Sequence, residues 1–500
     1  MRNHKNIFFG ILCAMTIWCF SSCKKYLDLK PQDGIIRQNF WKTKEQLQAA
    51  VFGCYASLLG PPAGVSDRSL SEYLFLWGEL RADMLSPAVG ISSEDLEIMD
   101  ANILPSNSIT NWRSVYRTIN YCNTVIDFAP DVLQSDKTLT QEALNAYVAE
   151  AKTLRALLYF YLVRSFLDVP LVLKATSSDA QLVQLQKSTD KEVLDQIVKD
   201  LNESEPNAVL TYNDRASDKG RITRYTINAL QADVYLWMEN YDQCINACNK
   251  IINSGRFGLV AGNGAWFQTL YYNGNSNESI FEFQFDRQKL NPFYSLFRSR
   301  PRFIANPSVM EDVYSVDFVD DTKKDIRGDG AALRATDGLI WKYIGVDANS
   351  VRPQEDSYAH WIVYRYADVL LMKAEALAQQ NKGQEALNIV YQIRQRAHAL
   401  DQTDLAPDPN DKFGVSDFIL QERAREFAYE GKRWYDVLRN AKRNNYERLN
   451  ILLDMIAKSV PPDRQQSAIA KAKDKNSHYF PIYNYELQTD KNLEQNPFYK

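Results

Sequence analysis

The chain has 500 residues, 45% of them hydrophobic, so it can bury a large core, and its 28 Tyr and 9 Trp leave aromatic side chains to spare for a surface. Its 58 Lys and Arg nearly balance its 62 Asp and Glu, and the resulting charge of -4 without a basic stripe argues against nucleic acid as the partner. Of seven cysteines, three lie in or next to an N-terminal apolar run, while Cys54, Cys122, Cys244 and Cys248 read as core thiols; Cys244 and Cys248 have no nearby His to complete a zinc set, and no disulfide framework is implied.

Arg2 and Lys5 precede the run IFFGILCAMTIWCF, and the small residues Ser21 and Ser22 precede Cys23. The run is too short to span a bilayer comfortably, so residues 1-22 read as a secretory signal with a lipoprotein-type cleavage site. Cys23 then becomes the first mature residue and carries acyl chains, each buried methylene contributing roughly 0.8 kcal/mol to membrane anchoring.

From Thr43 to Leu59 a helix presents Leu47, Ala50, Val51, Cys54 and Leu58 on one face, and Pro61-Pro62 ends it. In SEYLFLWGELRADMLSPAVG the pattern loosens towards a loop, with Trp77, Glu79, Arg81 and Asp83 as candidates for a sugar platform, Trp77 reading more simply as a core anchor. NWRSVYRTINYCNTVIDF and EAKTLRALLYFYLVRSFLDVPLVL follow as partner helices. TRYTINALQADVYLWMENYDQCINACNKIIN forms another pair turning at Asn240-Tyr241, and its spacing of Leu236, Tyr241, Ile245, Cys248 and Ile252 echoes Leu377, Lys382, Ala386, Ile389 and Ile393. Such units look like tetratricopeptide pairs, about four in all, which bury their faces only by stacking.

Between Ser254 and Tyr358 the helical period largely stops; ESIFEFQFD alternates like a short strand, and Gly, Asn, Asp and Pro become frequent. Loops on a rigid scaffold commonly carry binding residues, so Trp266, Tyr271, Tyr272, Phe293, Tyr294 and Arg300 join the candidate ligand contacts. Asp317, Asp320, Asp321, Asp325 and Asp329 form an acidic run whose spacing does not match a calcium loop. From His360 to Arg439 a helix pair turns at Asn381-Lys382-Gly383, and Arg365, Asp368, Glu375, Arg394, Arg396, Glu422, Arg423, Arg425, Glu426, Glu430, Arg433 and Asp436 alternate in sign. Those facing inward should form a carboxylate-guanidinium network, with about half on a solvated surface as ordinary pairs.

The motifs IVYRYADVLLMKAEALA, ILQERAREFAYEGKRWYDVLR and HYFPIYNYELQTDKNLEQNPFYK, in that order, resemble the C-terminal signature of the SusD/RagB family. KKYLDLKPQDG resembles its post-cysteine segment, and the LRA-YF-L pattern ending at Val169-Pro170 also fits. The resemblance implies a mainly α fold, a right-handed superhelix of tetratricopeptide-like pairs with a loop-rich subdomain containing short strands. The corresponding division is a signal over 1-22, an N-terminal region over 23-220, a helix pair over 221-253, a loop-rich insertion over 254-358 and a C-terminal region over 359-500.

It further implies a lipid-anchored protein of the cell outer membrane, facing the exterior, that captures a glycan and delivers it to a TonB-dependent SusC-like transporter. A peptide or another nutrient is the alternative cargo. No GxSxG, HExxH, Walker loop or strand-borne GxGxxG is present, so no catalytic residue, metal or cofactor is expected. An all-α glycoside hydrolase using Glu426 and Glu430 is the remaining enzymatic reading, but neighbouring arginines would keep both ionised, the wrong state for a general acid.

Overall fold

The computed structural model describes residues 40-177, 183-314, 324-399 and 406-500. The signal, Cys23 and the post-cysteine segment lie outside the described residues, as do Asp317, Asp320 and Asp321.

The helices of eight residues or more are α1 (Lys44-Leu59), α2 (Leu70-Glu79), α3 (Arg113-Ser135), α4 (Gln141-Phe166), α5 (Asp190-Ser204), α6 (Arg224-Trp237), α7 (Tyr241-Ile252), α8 (Tyr366-Gln379), α9 (Gly383-Arg396), α10 (Lys412-Glu426), α11 (Arg433-Tyr446), α12 (Leu449-Ser459) and α13 (Gln465-Ala472). Most start where the side chains dictate. Thr43 accepts from Gln46 N and Gln46 reciprocates, a capping box that contributes about 1 kcal/mol; Thr189 and Thr223 form the same box at α5 and α6, and Thr140 caps α4 by accepting from Ala143 N alone.

Neighbours stack in sequence: α3 on α4, α4 on α5, α6 on α7, α7 on α8, and α8 on both α9 and α10. The result is the mainly helical, tetratricopeptide-like stack that the repeat pattern predicts. One continuous apolar core runs from Leu47 to Ile482, and a smaller one lies between α8, α9 and α10 around Leu371, Leu387, Ile419 and Phe427. Cys54, Cys122, Cys244 and Cys248 are free, buried thiols.

Among the described residues four short strands form two antiparallel ribbons, β1 (Leu85-Pro87) with β3 (Phe303-Ala305) and β2 (Ser279-Phe283) with β4 (Trp361-Arg365). β2 is the strand expected in ESIFEFQFD. Its partner corrects the sequence reading, which began a helix near His360: WIVYR is aromatic and β-branched, buried at every position, and feeds α8 only from Tyr366 onward. The reading of SEYLFLWGELR is also corrected. α2 is buried at every residue except Glu72, because the helix threads the centre of the molecule. There Gly78 touches the turn after α10 so closely that a Cβ would lie 1.9 Å from the Gly431 carbonyl oxygen, and Gly431 itself has φ +71.

The charged helices turn almost wholly inward. Of the twelve acidic and basic residues named above, ten are buried and all twelve are ion-paired, so the solvated half does not exist. Arg365 Nη1 donates to Glu278 at 2.7 Å and to Glu426 at 2.6 Å, and its Nη2 reaches Glu430 at 3.1 Å. Arg327 joins Asp325, Glu422 and Glu426, while Lys342 joins Glu430. Glu278, Asp325, Arg327 and Lys342 belong to the loop-rich region, so the network bolts that region to α8 and α10. Burial alone would raise the Glu426 carboxyl, but Arg396, Arg365 and Arg327 outweigh it and hold the group well below the usual range. Glu430 is likewise held ionised against burial by Arg365 and Lys342. These carboxylates are structural counter-ions.

Candidate ligand-binding face

The structure divides the candidate contacts into two sets. Seven are internal, Glu79 among them. Trp77 is fully buried and donates its indole N-H to the Ile109 carbonyl at 2.7 Å. Phe293 centres an aromatic cluster, 4.2 Å from Tyr343 and 5.2 Å from Trp361 between ring centroids. Trp266 packs on Tyr271, whose hydroxyl donates to Glu430. Asp83 forms a bidentate pair with Arg433. Arg81 is buried between the rings of Trp434 and Phe480. Their inclusion as surface contacts is corrected by one physical fact: the residue types that stack on sugars are also those that fill a large helical core.

Tyr272, Tyr294 and Arg300 remain at the surface. Tyr272 is half-buried with the Arg352 guanidinium 4.1 Å from its ring centroid, Tyr294 is half-buried, and Arg300 is exposed.

Arg300 sits at the edge of a loop platform built after α2. Ala88 N donates to Arg302 O at 3.0 Å and Gly90 N to Pro301 O at 2.8 Å, which extends the β1-β3 ribbon towards Arg300. Arg302 pairs with Asp95 and Glu72, and Arg68 pairs with Glu72 and Glu94. Glu94 then accepts from Ser108 N at 2.8 Å and Ser108 Oγ at 2.7 Å, fixing the loop that leads into α3. Asn484 N donates to Pro105 O, so the short helix Asn484-Thr489 is fastened to the same loop. These half-buried pairs hold otherwise irregular backbone in one arrangement.

At this end stands the most exposed aromatic ring among the large hydrophobic side chains of the described residues, Tyr485, at 49% exposure. The exposed guanidinium of Arg113, at the start of α3, lies 4.9 Å from its ring centroid. Asn111 accepts from Arg113 N through its amide oxygen, leaving its amide N-H groups available. An exposed ring beside unsaturated donors can take the C-H face of a sugar and its hydroxyls together. Sequence reading missed Tyr485, Arg113 and Asn111. The segment FPIYNYELQ was legible as a family signature, but no periodicity marks which of its tyrosines faces out.

A second concavity, of about 470 Å³, lies between α1 and α3, walled by Phe40, Trp41, Tyr121 and Phe128. Two of its polar side chains, Asn120 and Thr124, are already engaged. Asn120 donates to Thr176 O and accepts from Thr176 N, and Thr124 donates to Asn120 O. It is an apolar slot with few hydrogen bonds left to offer a sugar. Among the described residues no cluster of His, Cys, Asp or Glu could hold a metal ion.

Stacked helix pairs with a loop platform at one end define a helical-repeat scaffold. Two family models match the chain, "SusD family" over residues 266-499 and "Starch-binding associating with outer membrane" over residues 25-236. A SusD-like protein of Formosa agariphila is 27% identical over 488 residues, covering 88% of this chain and 93% of the relative. A SusD-like protein of Bacteroides ovatus is 22% identical over 482 residues, covering 86% of this chain and 81% of the relative. Among solved structures, a SusD superfamily protein from Bacteroides vulgatus superposes with a TM-score of 0.74 at 21% identity, covering 92% of this chain and all (100%) of the other. NanU of B. fragilis does so with a TM-score of 0.68 at 22% identity, covering 94% of this chain and 100% of the other. The chain belongs to the SusD/RagB family, whose members are binding proteins known for holding glycans at the cell surface.

Proposed function

We propose that the protein is a surface glycan-binding lipoprotein that captures oligo- or polysaccharide and passes it to a TonB-dependent SusC-like barrel. The observation that carries this reading is the exposed Tyr485 ring flanked by the exposed guanidinium of Arg113 on a loop platform held rigid by ion pairs. In this reading the ring stacks on a sugar face, Arg113 and Asn111 bind hydroxyls, and Arg300, Tyr294 and Tyr272 extend the contact. The apolar N-terminal run and Ser21-Ser22-Cys23 support anchoring through a lipidated Cys23, which places the scaffold on the outer membrane.

Two experiments test it. Native electrophoresis of the purified protein through gels containing individual polysaccharides should show retardation by at least one glycan, with no reducing ends released on incubation. A protein retarded by none, or one that liberates reducing sugar, contradicts the proposal. Radiolabelled palmitate should enter the full chain and fail to enter Cys23→Ser.

A further inference from the structure

Two of the four buried thiols meet across a helix interface. Cys54 lies on the inner face of α1 with Leu47, Val51 and Leu58, and Cys122 lies on the inner face of α3 with Ile119, Val125 and Ala129. α1 packs directly on α3, and both cysteines are completely buried. The Cys54 thiol donates to the Ala50 carbonyl at 3.5 Å, and the Cys122 thiol is its hydrogen-bonding neighbour from the facing helix.

The other pair, Cys244 and Cys248, provides the contrast. These stand one turn apart on the same helix, α7, where Cβ atoms four residues apart lie about 5-6 Å from each other. A disulfide needs Cβ atoms about 3.5-4.5 Å apart, so the helix would have to distort to join them. Cys54 and Cys122 come from different helices, and side-chain packing sets their approach, with no helical hydrogen bond in the way.

We infer that Cys54 and Cys122 are joined by a disulfide in the mature protein, a covalent staple between α1 and α3. The oxidant is a disulfide carrier, small or protein-borne, of the compartment beyond the inner membrane, so the inference rests on the export proposed above. One cysteine thiolate attacks the carrier disulfide, forming a mixed disulfide and releasing one carrier thiolate. The second cysteine thiolate attacks the cysteine sulfur of that mixed disulfide and expels the other carrier thiolate. The cysteine pair loses two electrons, the carrier gains them, and the two thiol protons end on the carrier sulfurs. Hydrogen bonding to Cys122 and burial push the Cys54 thiol up, and the docked helices shut a carrier out. The bond therefore forms before α1 closes on α3, and afterwards it is shielded from reductants. It closes a loop of roughly 70 residues, which constrains the unfolded chain, and it fastens the helix that follows the membrane anchor in sequence.

The test counts thiols in the intact protein and needs no variant. Protein from the membrane fraction is unfolded in guanidinium chloride with iodoacetamide, digested and mapped by mass, with and without prior reduction. Cys244 and Cys248 should be alkylated in both samples, and Cys54 and Cys122 only after reduction, with a linked peptide pair in the unreduced sample. Refolding of the reduced protein in a glutathione redox buffer should rebuild the same link. Reductant should also lower the unfolding midpoint of the parent and leave that of Cys122→Ser unmoved. Membrane-bound protein with all four thiols alkylated before reduction overturns the inference while leaving the glycan reading intact. Protein absent from the membrane fraction contradicts the anchoring instead, and a refolded protein that leaves Cys54 and Cys122 free then overturns the disulfide on its own.

Discussion

The charged seam around Arg365 and the platform around Arg113 use the same side chain to opposite ends. In the seam Arg365 is completely buried, meets three carboxylates and also donates to the Glu426 carbonyl; nothing is left over for a ligand. On the platform Arg113 is exposed, with the Tyr485 ring beside it and the Glu486 carboxylate close enough to feel its charge. Saturation marks a residue that builds the scaffold, and unsaturation at a rigid surface marks one available to a partner. Motif content alone does not separate them.

Breaking the seam should produce the largest effect. Glu426→Ala removes a carboxylate shared by Arg365, Arg327 and Arg396, and leaving such guanidiniums buried without it costs roughly 3-5 kcal/mol. The expected outcome is a strongly lowered unfolding midpoint or insoluble protein, read by circular dichroism and yield.

Glu79 gives the next effect. It accepts from Gly431 N and Lys432 N, but burial dominates and raises its carboxyl to about 8. A carboxyl raised above its unfolded value, near 4.3, stabilises fully below that value and loses the contribution as pH rises towards 8. At about 1.4 kcal/mol per pH unit the loss reaches a few kcal/mol. Glu79→Gln should therefore unfold at a midpoint that falls less than the parent's between pH 5 and 8; parallel curves would refute the assignment.

A smaller effect sharpens the contrast between platform and slot. Trp41→Ala strips a wall from the cleft beside α1 and should lower stability by roughly 1-3 kcal/mol while leaving glycan retention unchanged. Smallest of all, Lys191→Ala on the exposed Lys191-Asp195 pair should leave the unfolding midpoint where it was.

The helix pairs were legible because their signal is local. Asn240 caps α7 at the turn read from Asn240-Tyr241, and the break at Asn381-Lys382-Gly383 separates α8 from α9 as the spacing implies. What stayed hidden depends on distant neighbours. WIVYR becomes a strand because β2, about eighty residues upstream in the chain, offers it an edge. Trp77 and Phe293 read either as core anchors or as platform residues, and Phe166 against the first and the Tyr343-Trp361 cluster against the second make them core. Tyr485 is exposed because Asn484 is fastened to Pro105 across the molecule, a contact that no window of sequence contains.

The most direct test of the binding face is retention of the doubly substituted protein, Tyr485→Ala with Arg113→Ala, in polysaccharide gels beside the parent. With both groups outside the core, the variant should unfold at the parent's temperature and lose its retardation by the glycan that the parent binds. Undiminished retardation in a folded double variant would place the sugar elsewhere and contradict the account.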